Sequence, residues 1–409
     1  MKKRTCAACE HENMQDRKNE LDLKNIPPVD FYMNNKNKSE AINRYPIGIY
    51  MCNKCGLVQV KESPGQELFY ENYIYESSSS TDMKDNFQEL IRKIEEYRIL
   101  DESVNILDIG CNDGLLLKEI MNKNGGVSSL AGIDPSPISE SLKNSGIRIE
   151  KNYFPNTSLY KDSEFDIIIS TNAFAHIPKI GEATAKVSKL LKEDGLFIVE
   201  VSDFDKMNEL KAWDYIYHEH LFYYTKNSLS ELLEAKGLTI LEIQQIDTKG
   251  GSIRAIAKKT KKKIMESKAR IDKSNAGNMK SIVNMEKSYE QWKKDEKLFF
   301  ENNTNTRFIG YGACATASVT VAQSENFNNL ICIIDDNKKR QRNYVPSTSI
   351  EVTDLEDVKF TENDIIIVFA WRFIKEISKK IRKYCKTKDY PEPKLFRSID
   401  MKEWRMENE

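Results

Sequence analysis

Three of the chain's four histidines fall in two short motifs, NAFAHI with His176 and WDYIYHEHLFYY with His218 and His220 on either side of Glu219. Imidazole is the side chain best matched to moving a proton near neutral pH, and a neighbouring carboxylate can orient it or carry a proton itself. The two motifs therefore read as an acid–base set. A transition-metal site is the rival reading of YHEH, although adjacent residues on one turn rarely hold an ion without further donors. Purely structural histidines are the other alternative.

Four of the eight cysteines form two CxxC pairs, Cys6 with Cys9 and Cys52 with Cys55, the second followed by Gly56. Each pair lets two thiolates converge from one tight knuckle, and two knuckles supply the four sulfurs of a closed tetrahedral zinc site. A closed site has no open coordination position, so its expected role is structural, worth on the order of 10 kcal/mol of folding free energy in small zinc modules. A redox CxxC and an iron–sulfur cluster are the alternatives. The 42 residues from Glu10 to Met51 exceed the spacer of a compact ribbon and imply a small insertion, with a turn at Pro27 and Pro28. His11 is read as a surface residue. Cys111, Cys314, Cys332 and Cys385 have no partner at ligand spacing and read as small buried apolar side chains.

The segment VNILDIGCNDGLLLKEI runs a strand into a Gly-containing turn and then into a helix with an apolar face. Gly110 and Gly114 would let the backbone approach a ligand closely, and Asp108 and Asp113 place acids beside the loop, around Asn112. Asp134 ends the next strand 20 residues after Gly114, where a carboxylate can grip the two hydroxyls of a ribose. The glycines lack dinucleotide-fold spacing, and acids there would repel a pyrophosphate. S-adenosylmethionine carries no phosphate but a sulfonium and an ammonium, and suits such a loop better. FDIIISTNAFAHI adds a further strand bearing Asp166, with Asn172 after it, both expected near this cofactor. A Gly turn in an unrelated α/β domain is the bland alternative.

The scaffold that must position these residues is α/β. The runs VNILDIG, LAGID, FDIIIS, GLFIVEV, LEIQQ and SIRAIA alternate with stretches of helical character, the rhythm of a doubly wound sheet. Both histidine motifs are expected after strands, at the sheet end where ligands collect. Residues 1 to about 60 hold little continuous apolar sequence, so metal would have to organise them. Ile282, Met285, Tyr289, Trp292 and Phe299 recur at helical spacing and indicate a long connecting helix, whose lysine-rich KKTKKK start reads as a solvated linker rather than a phosphate patch. RFIGYGA, NLICIIDD and DIIIVFAW then announce a second, smaller α/β unit. A balance of 62 basic and 63 acidic residues argues against bulk nucleic-acid binding, and no apolar run reaches the length of a membrane span. A cytoplasmic monomer is expected.

The cysteine pairs, LDIGCNDGLLL, NAFAHI, YHEH followed by aromatics, GGSIRA, and then GYGA, IDDN and DIIIVFAW occur in an order that resembles the sugar C-methyltransferases acting on nucleotide-linked keto-deoxysugars, over nearly the full length. The resemblance implies a zinc-binding N-terminal lobe (1–75), a central Rossmann-like methyltransferase domain (76–257), a helical linker (258–305) and a C-terminal Rossmann-like domain (306–409) that helps hold the nucleotide diphosphate of the sugar. It further implies His220 as the base that removes the proton beside a sugar ketone, with Glu219 and Tyr217 next to it, and His176 and Tyr75 polarising or protonating groups at the ketone. Gly251, Ser252 and Arg254 of GGSIR would approach the substrate, with Arg254 pairing with a phosphate or standing as a surface strand residue. O-methylation of a sugar or other acceptor, and a non-catalytic interaction module, are the alternative functions.

Overall fold

The computed structural model describes residues 3–14, 19–70, 76–79, 81–124, 129–260 and 280–405. Tyr75 and residues 261–279, which include most of the lysine-rich start of the linker, lie outside them. At the N-terminus, β1 (Lys3–Thr5) and β2 (Glu12–Met14) form a ribbon around the first CxxC. Strands β3 (Glu20–Asp22), β4 (Gly48–Met51) and β5 (Val58–Val60) follow as an antiparallel meander carrying the second CxxC between β4 and β5.

The apolar runs of the central region become strands, the inner ones buried on both faces as helix-covered parallel strands require and the two edge strands more exposed. They are β6 (Asn105–Ile109), β7 (Ser129–Ile133), β8 (Arg148–Glu150), β9 (Phe165–Thr171) and β10 (Leu191–Ser202), followed, after the short β11 (Phe222–Tyr223), by β12 (Leu238–Ile246) and β13 (Ser252–Lys259). Their order in the sheet is β12-β13-β10-β9-β6-β7-β8, with β13 antiparallel between β10 and β12. The chain winds outward from β6 to β8 and then returns to β9 on the other side. The strand order thus reverses between β6 and β9, and the crevice at their carboxyl ends is where such sheets bind ligands. The helix Thr81–Glu95 covers this end, burying Met83, Phe87, Leu90, Ile91 and Ile94 at helical spacing.

The C-terminal sheet has the order β16-β15-β14-β17-β18-β19, from β14 (Arg307–Tyr311), β15 (Leu330–Ile334), β16 (Val352–Thr353), β17 (Asp364–Val368), β18 (Lys394–Arg397) and β19 (Glu403–Trp404), parallel except for β19. The helix Lys280–Asn302 precedes it and buries all five of the residues that marked it in the sequence. It is more than a connector, because it shares one core with the C-terminal strands and the N-terminal meander.

That shared core corrects the expectation that metal alone organises the N-terminal segment. Leu21, Ile26, Val29, Ile47, Ile49 and Met51 are buried against residues some 280 positions further along the chain. Tyr32 Oη donates to the Ala313 carbonyl at 2.8 Å, Ser39 Oγ to that of Val345 at 2.9 Å, and Arg340 pairs with Asp30 at 3.0 Å. Local hydropathy cannot register burial contributed by a distant partner. Among the described residues, no helix is long and apolar enough to cross a membrane.

Candidate active site and zinc site

The four thiols of Cys6, Cys9, Cys52 and Cys55 lie within 4.8 Å of one another. Cys6 and Cys55 sulfurs stand 3.6 Å apart, and those of Cys9 and Cys52 3.7 Å. A tetrahedral ion with Zn–S bonds of about 2.3 Å requires sulfur–sulfur edges of about 3.8 Å, so the cluster fits zinc. Each knuckle is closed by its backbone: Cys6 N donates to His11 O, and Gly56 N, at φ 70, donates to Cys52 O. His11 thus serves the first knuckle through its carbonyl. Gln59 Nε2 and Lys54 N point at the sulfurs of Cys6 and Cys52, at 3.3 and 3.4 Å, and favour the thiolate that a metal needs.

This metal lobe also holds the YHEH motif. Strand β5, just past the second knuckle, pairs with β11, which follows YHEH, in the order β11-β5-β4-β3. Val60 N donates to Leu221 O at 2.9 Å, and Leu221 N donates to Ala175 O of NAFAHI at 3.0 Å. YHEH therefore does not sit at the end of a main-sheet strand as expected. It lies between the zinc lobe's sheet and the turn after β9.

There the two motifs meet. The rings of His176 and His220 stand 4.9 Å apart at 72°. Tyr70 Oη lies 2.8 Å from His176 Nδ1, and Tyr217 Oη 2.9 Å from His220 Nε2. Burial pushes His176 down to about 4 and His220 well below its ordinary value, with the Lys249 charge adding to both and His176 adding at His220. Both imidazoles are consequently neutral at physiological pH. His220 Nδ1 and Glu219 Oε2 are buried and find no hydrogen-bond partner among the described residues. Burial pushes the Glu219 carboxyl up to about 8. His218 is structural, lying on the Phe69 ring at 6.3 Å with Nε2 on the Pro46 carbonyl at 3.0 Å.

His176 lines a cavity at the β6–β9 crevice. Asp108, Gly110, Asn112, Asp134 and Asn172 line it too, as does Tyr70. Gly110, at φ 78, leaves no room for a side chain beside Ala173. Asp108 is 3 % exposed, its Oδ1 has no partner among the described residues, and burial followed by the Asp134 charge pushes it up to about 8. A buried carboxyl with an open oxygen is suited to a cationic ligand. Asp134, also pushed up by burial, is aimed by three donors: Asn112 N at 2.9 Å, Ser136 N at 2.8 Å and Ser136 Oγ at 2.6 Å. Asn172, in a left-handed conformation at φ 56, leaves its Nδ2 without a partner among the described residues. These orphaned polar atoms around one cavity fit S-adenosylmethionine, with its sulfonium, ammonium and ribose.

Several expected site residues serve elsewhere. Gly114, at φ 72, packs against the Leu142 side chain rather than opening space for a ligand. Asn112 Oδ1 and Asp113 Oδ2 accept the backbone N–H groups of Ser77 and Ser78, so they hold the 76–79 segment beside the cavity. Asp166 lies at the amino end of β9, away from the crevice, bound to Arg98, Lys192 and Asn105 N. Arg254 faces no phosphate. Its side chain is fully buried, with Nε on Glu200 Oε1 at 2.6 Å, Nη1 on Glu89 Oε2 at 2.7 Å and Nη2 on Asn86 Oδ1 at 2.8 Å. Gly251, at φ 120 against the Lys206 stem, and Ser252, whose Oγ donates to Thr248 O at 3.0 Å, shape a turn. That turn brings Lys249 to the cavity. Lys249 and Tyr70 were missed in the sequence, although Lys249 immediately precedes GGSIR and Tyr70 lies five residues before Tyr75.

Three family models match consecutive parts of the chain: "Putative zinc binding domain" over residues 6–70, "Methyltransferase domain" over 81–243 and "C-methyltransferase C-terminal domain" over 247–389. The chain is 24% identical over 253 residues to the C-methyltransferase NovU of Streptomyces niveus, an alignment covering 61% of this chain and 59% of that protein. It therefore spans about three fifths of that relative's length. Among solved structures it is similar to the PH0226 protein of Pyrococcus horikoshii OT3, with 16% identity, 46% of this chain and 95% of that one covered, and a TM-score of 0.39. It is also similar to an S-adenosylmethionine dependent methyltransferase of Mesorhizobium loti, with 14% identity, 43% and 99% covered, and a TM-score of 0.36.

Proposed function

We propose that this chain, which matches models of a putative zinc binding domain, a methyltransferase domain and a C-methyltransferase C-terminal domain, methylates carbon in a nucleotide-linked keto-deoxysugar through an enolate generated by His220. The observation that carries the reading is the half-buried pair His176 and His220, each with one nitrogen on a tyrosine hydroxyl, beside a cavity lined by the orphaned carboxyl of Asp108.

With Nε2–H of His220 donating to Tyr217 Oη, Nδ1 is left basic and without a partner among the described residues, which supports its taking the proton beside the ketone. Its neutrality at physiological pH keeps it in the basic form. His176, with Nδ1 held by Tyr70, presents Nε2 toward the ketone, and the protonated Glu219 carboxyl is a proton source beside it. Asp108 and Asp134 hold the cofactor's ammonium and ribose, and S-adenosylmethionine bound there supplies a sulfonium methyl as the electrophile. Cys6, Cys9, Cys52 and Cys55 hold zinc, whose role is to brace β5 and thereby β11 and YHEH.

The test is incubation with S-adenosylmethionine and a panel of nucleotide-linked 4-keto sugars in deuterated water. The expected result is a mass gain of one methyl and exchange of the proton beside the ketone, both lost in His220→Ala. Methylation without exchange would transfer the reading to O-methylation, and cofactor binding without turnover of any sugar would remove the sugar as substrate.

A further inference from the structure

Lys249 is the only lysine or arginine among the described residues that line the cavity. It lines it together with His176, and its charge bears on both histidines. The backbone there is unusual for a long side chain: Lys249 has φ 47 and ψ 29, in the left-handed region. The two residues after it are glycines in the positive-φ region that favours glycine, at φ 81 and 120. A Cβ at Gly250 would run into the Arg372 guanidinium, and one at Gly251 into the Lys206 side chain.

The C-terminal domain fixes the turn from outside. Arg372, just past β17, donates to the Lys249 carbonyl and stacks on the Tyr215 ring at 3.9 Å. Beside it Trp371 Nε1 donates to the buried Asp214 at 2.8 Å. A strained turn clamped by two domains therefore delivers a cation to the cavity that His176 lines.

Removing the proton beside the ketone is eased by such a cation. As His220 Nδ1 accepts the proton, the C–H pair becomes the new C=C bond and the carbonyl π pair moves onto oxygen, which takes the negative charge. Neutral imidazole and tyrosine donors can hydrogen-bond that oxygen but do not neutralise it. An ammonium opposite it does, and Lys249, an exposed side chain that also lines the cavity, supplies one from the cavity's solvent-facing rim. We infer that Lys249 is a catalytic residue of the proposed reaction, its ammonium facing the substrate's ketone oxygen and stabilising the enolate. The inference rests on the enolate reading of the site.

The experiment uses the full-length zinc-loaded protein with S-adenosylhomocysteine as unreactive cofactor. It follows deuterium exchange beside the ketone of a nucleotide-linked 4-keto sugar, and cofactor affinity by calorimetry. Lys249→Met should slow exchange about 10²–10³-fold, the loss typical of removing one oxyanion-stabilising group, with cofactor affinity unchanged. Lys249→Arg should restore most of the rate. Lys249→Gly, which removes the charge while relaxing the left-handed backbone, should lose as much as Lys249→Met and excludes misfolding as the cause. Exchange at the wild-type rate in Lys249→Met overturns the inference, as does a loss confined to cofactor affinity, which would assign the lysine to the cofactor's carboxylate. Absence of exchange in the wild type with every sugar tested overturns the enolate reading itself, and this inference with it.

Discussion

Replacing Arg254 with methionine should destabilise the central domain by about 3 kcal/mol at pH 8 and by clearly less at pH 5. Arg254 and Glu200 are both fully buried and joined at 2.6 Å, while Asn86 and Glu89 take the remaining guanidinium nitrogens. Removing one member of a buried pair costs about 3–5 kcal/mol, because the other is left as an uncompensated charge. The lower end applies here, since the Glu89 side chain is 47% exposed and can return to water. Burial already raises the Glu200 carboxyl, and Arg254 is the main influence opposing it, so deleting Arg254 raises it further.

A folded pKa above the unfolded one means that the native state holds the proton longer, so stability falls as pH climbs from the unfolded value toward the folded one. As pH falls toward the unfolded value the variant's Glu200 takes up its proton and the loss shrinks, so the loss is smaller at pH 5 than at pH 8. Urea unfolding followed by tryptophan fluorescence, at both pH values, would measure this for the wild type, Arg254→Met, Glu200→Gln and the double variant. The double variant should be more stable than Arg254→Met alone, because no buried charge remains. A loss below about 1 kcal/mol, the scale of an exposed ion pair, or one that does not shrink at pH 5, would refute the reasoning.

Chelating zinc, or Cys55→Ala, should release about one zinc per chain and abolish exchange along with stability, since metal binding contributes on the order of 10 kcal/mol to such lobes; elemental analysis beside an exchange assay checks it. His220→Gln should lower the exchange rate about 10²–10⁴-fold while leaving cofactor affinity intact, measured in deuterated water with S-adenosylhomocysteine bound. Cofactor affinity should strengthen as pH rises toward about 8, where the Asp108 carboxyl becomes anionic, and level off above it. Asp108→Asn should remove that pH dependence and weaken binding about 10–100-fold, the value of a charge-assisted hydrogen bond, as read by calorimetry from pH 6 to 9.

The chemistry of this protein was legible wherever it is written in short-range spacing. Cys6 with Cys9 and Cys52 with Cys55 are each joined by one tight turn, so their convergence within 4.8 Å needed only the two turns to meet. The loop from Asp108 to Gly114 and the carboxylate at Asp134 follow from strand, turn and next strand, and the buried stripe of the helix Lys280–Asn302 follows from its periodicity. What a side chain meets across the fold is not written that way. GGSIR placed Arg254 on a strand, but only the packing of Glu200 and of the helix bearing Asn86 and Glu89 decided that its charge is spent inside the protein. Asp166 and Asn172 stand on one strand run, yet the sheet puts them at opposite ends. YHEH owes its place to β11 pairing with the zinc lobe, and Lys249 reaches the cavity because an arginine of the C-terminal domain grips its turn. Periodicity and spacing set local conformation because neighbouring residues share a backbone. Partners hundreds of residues apart are chosen by the topology that brings their surfaces together, and that was decided only in three dimensions.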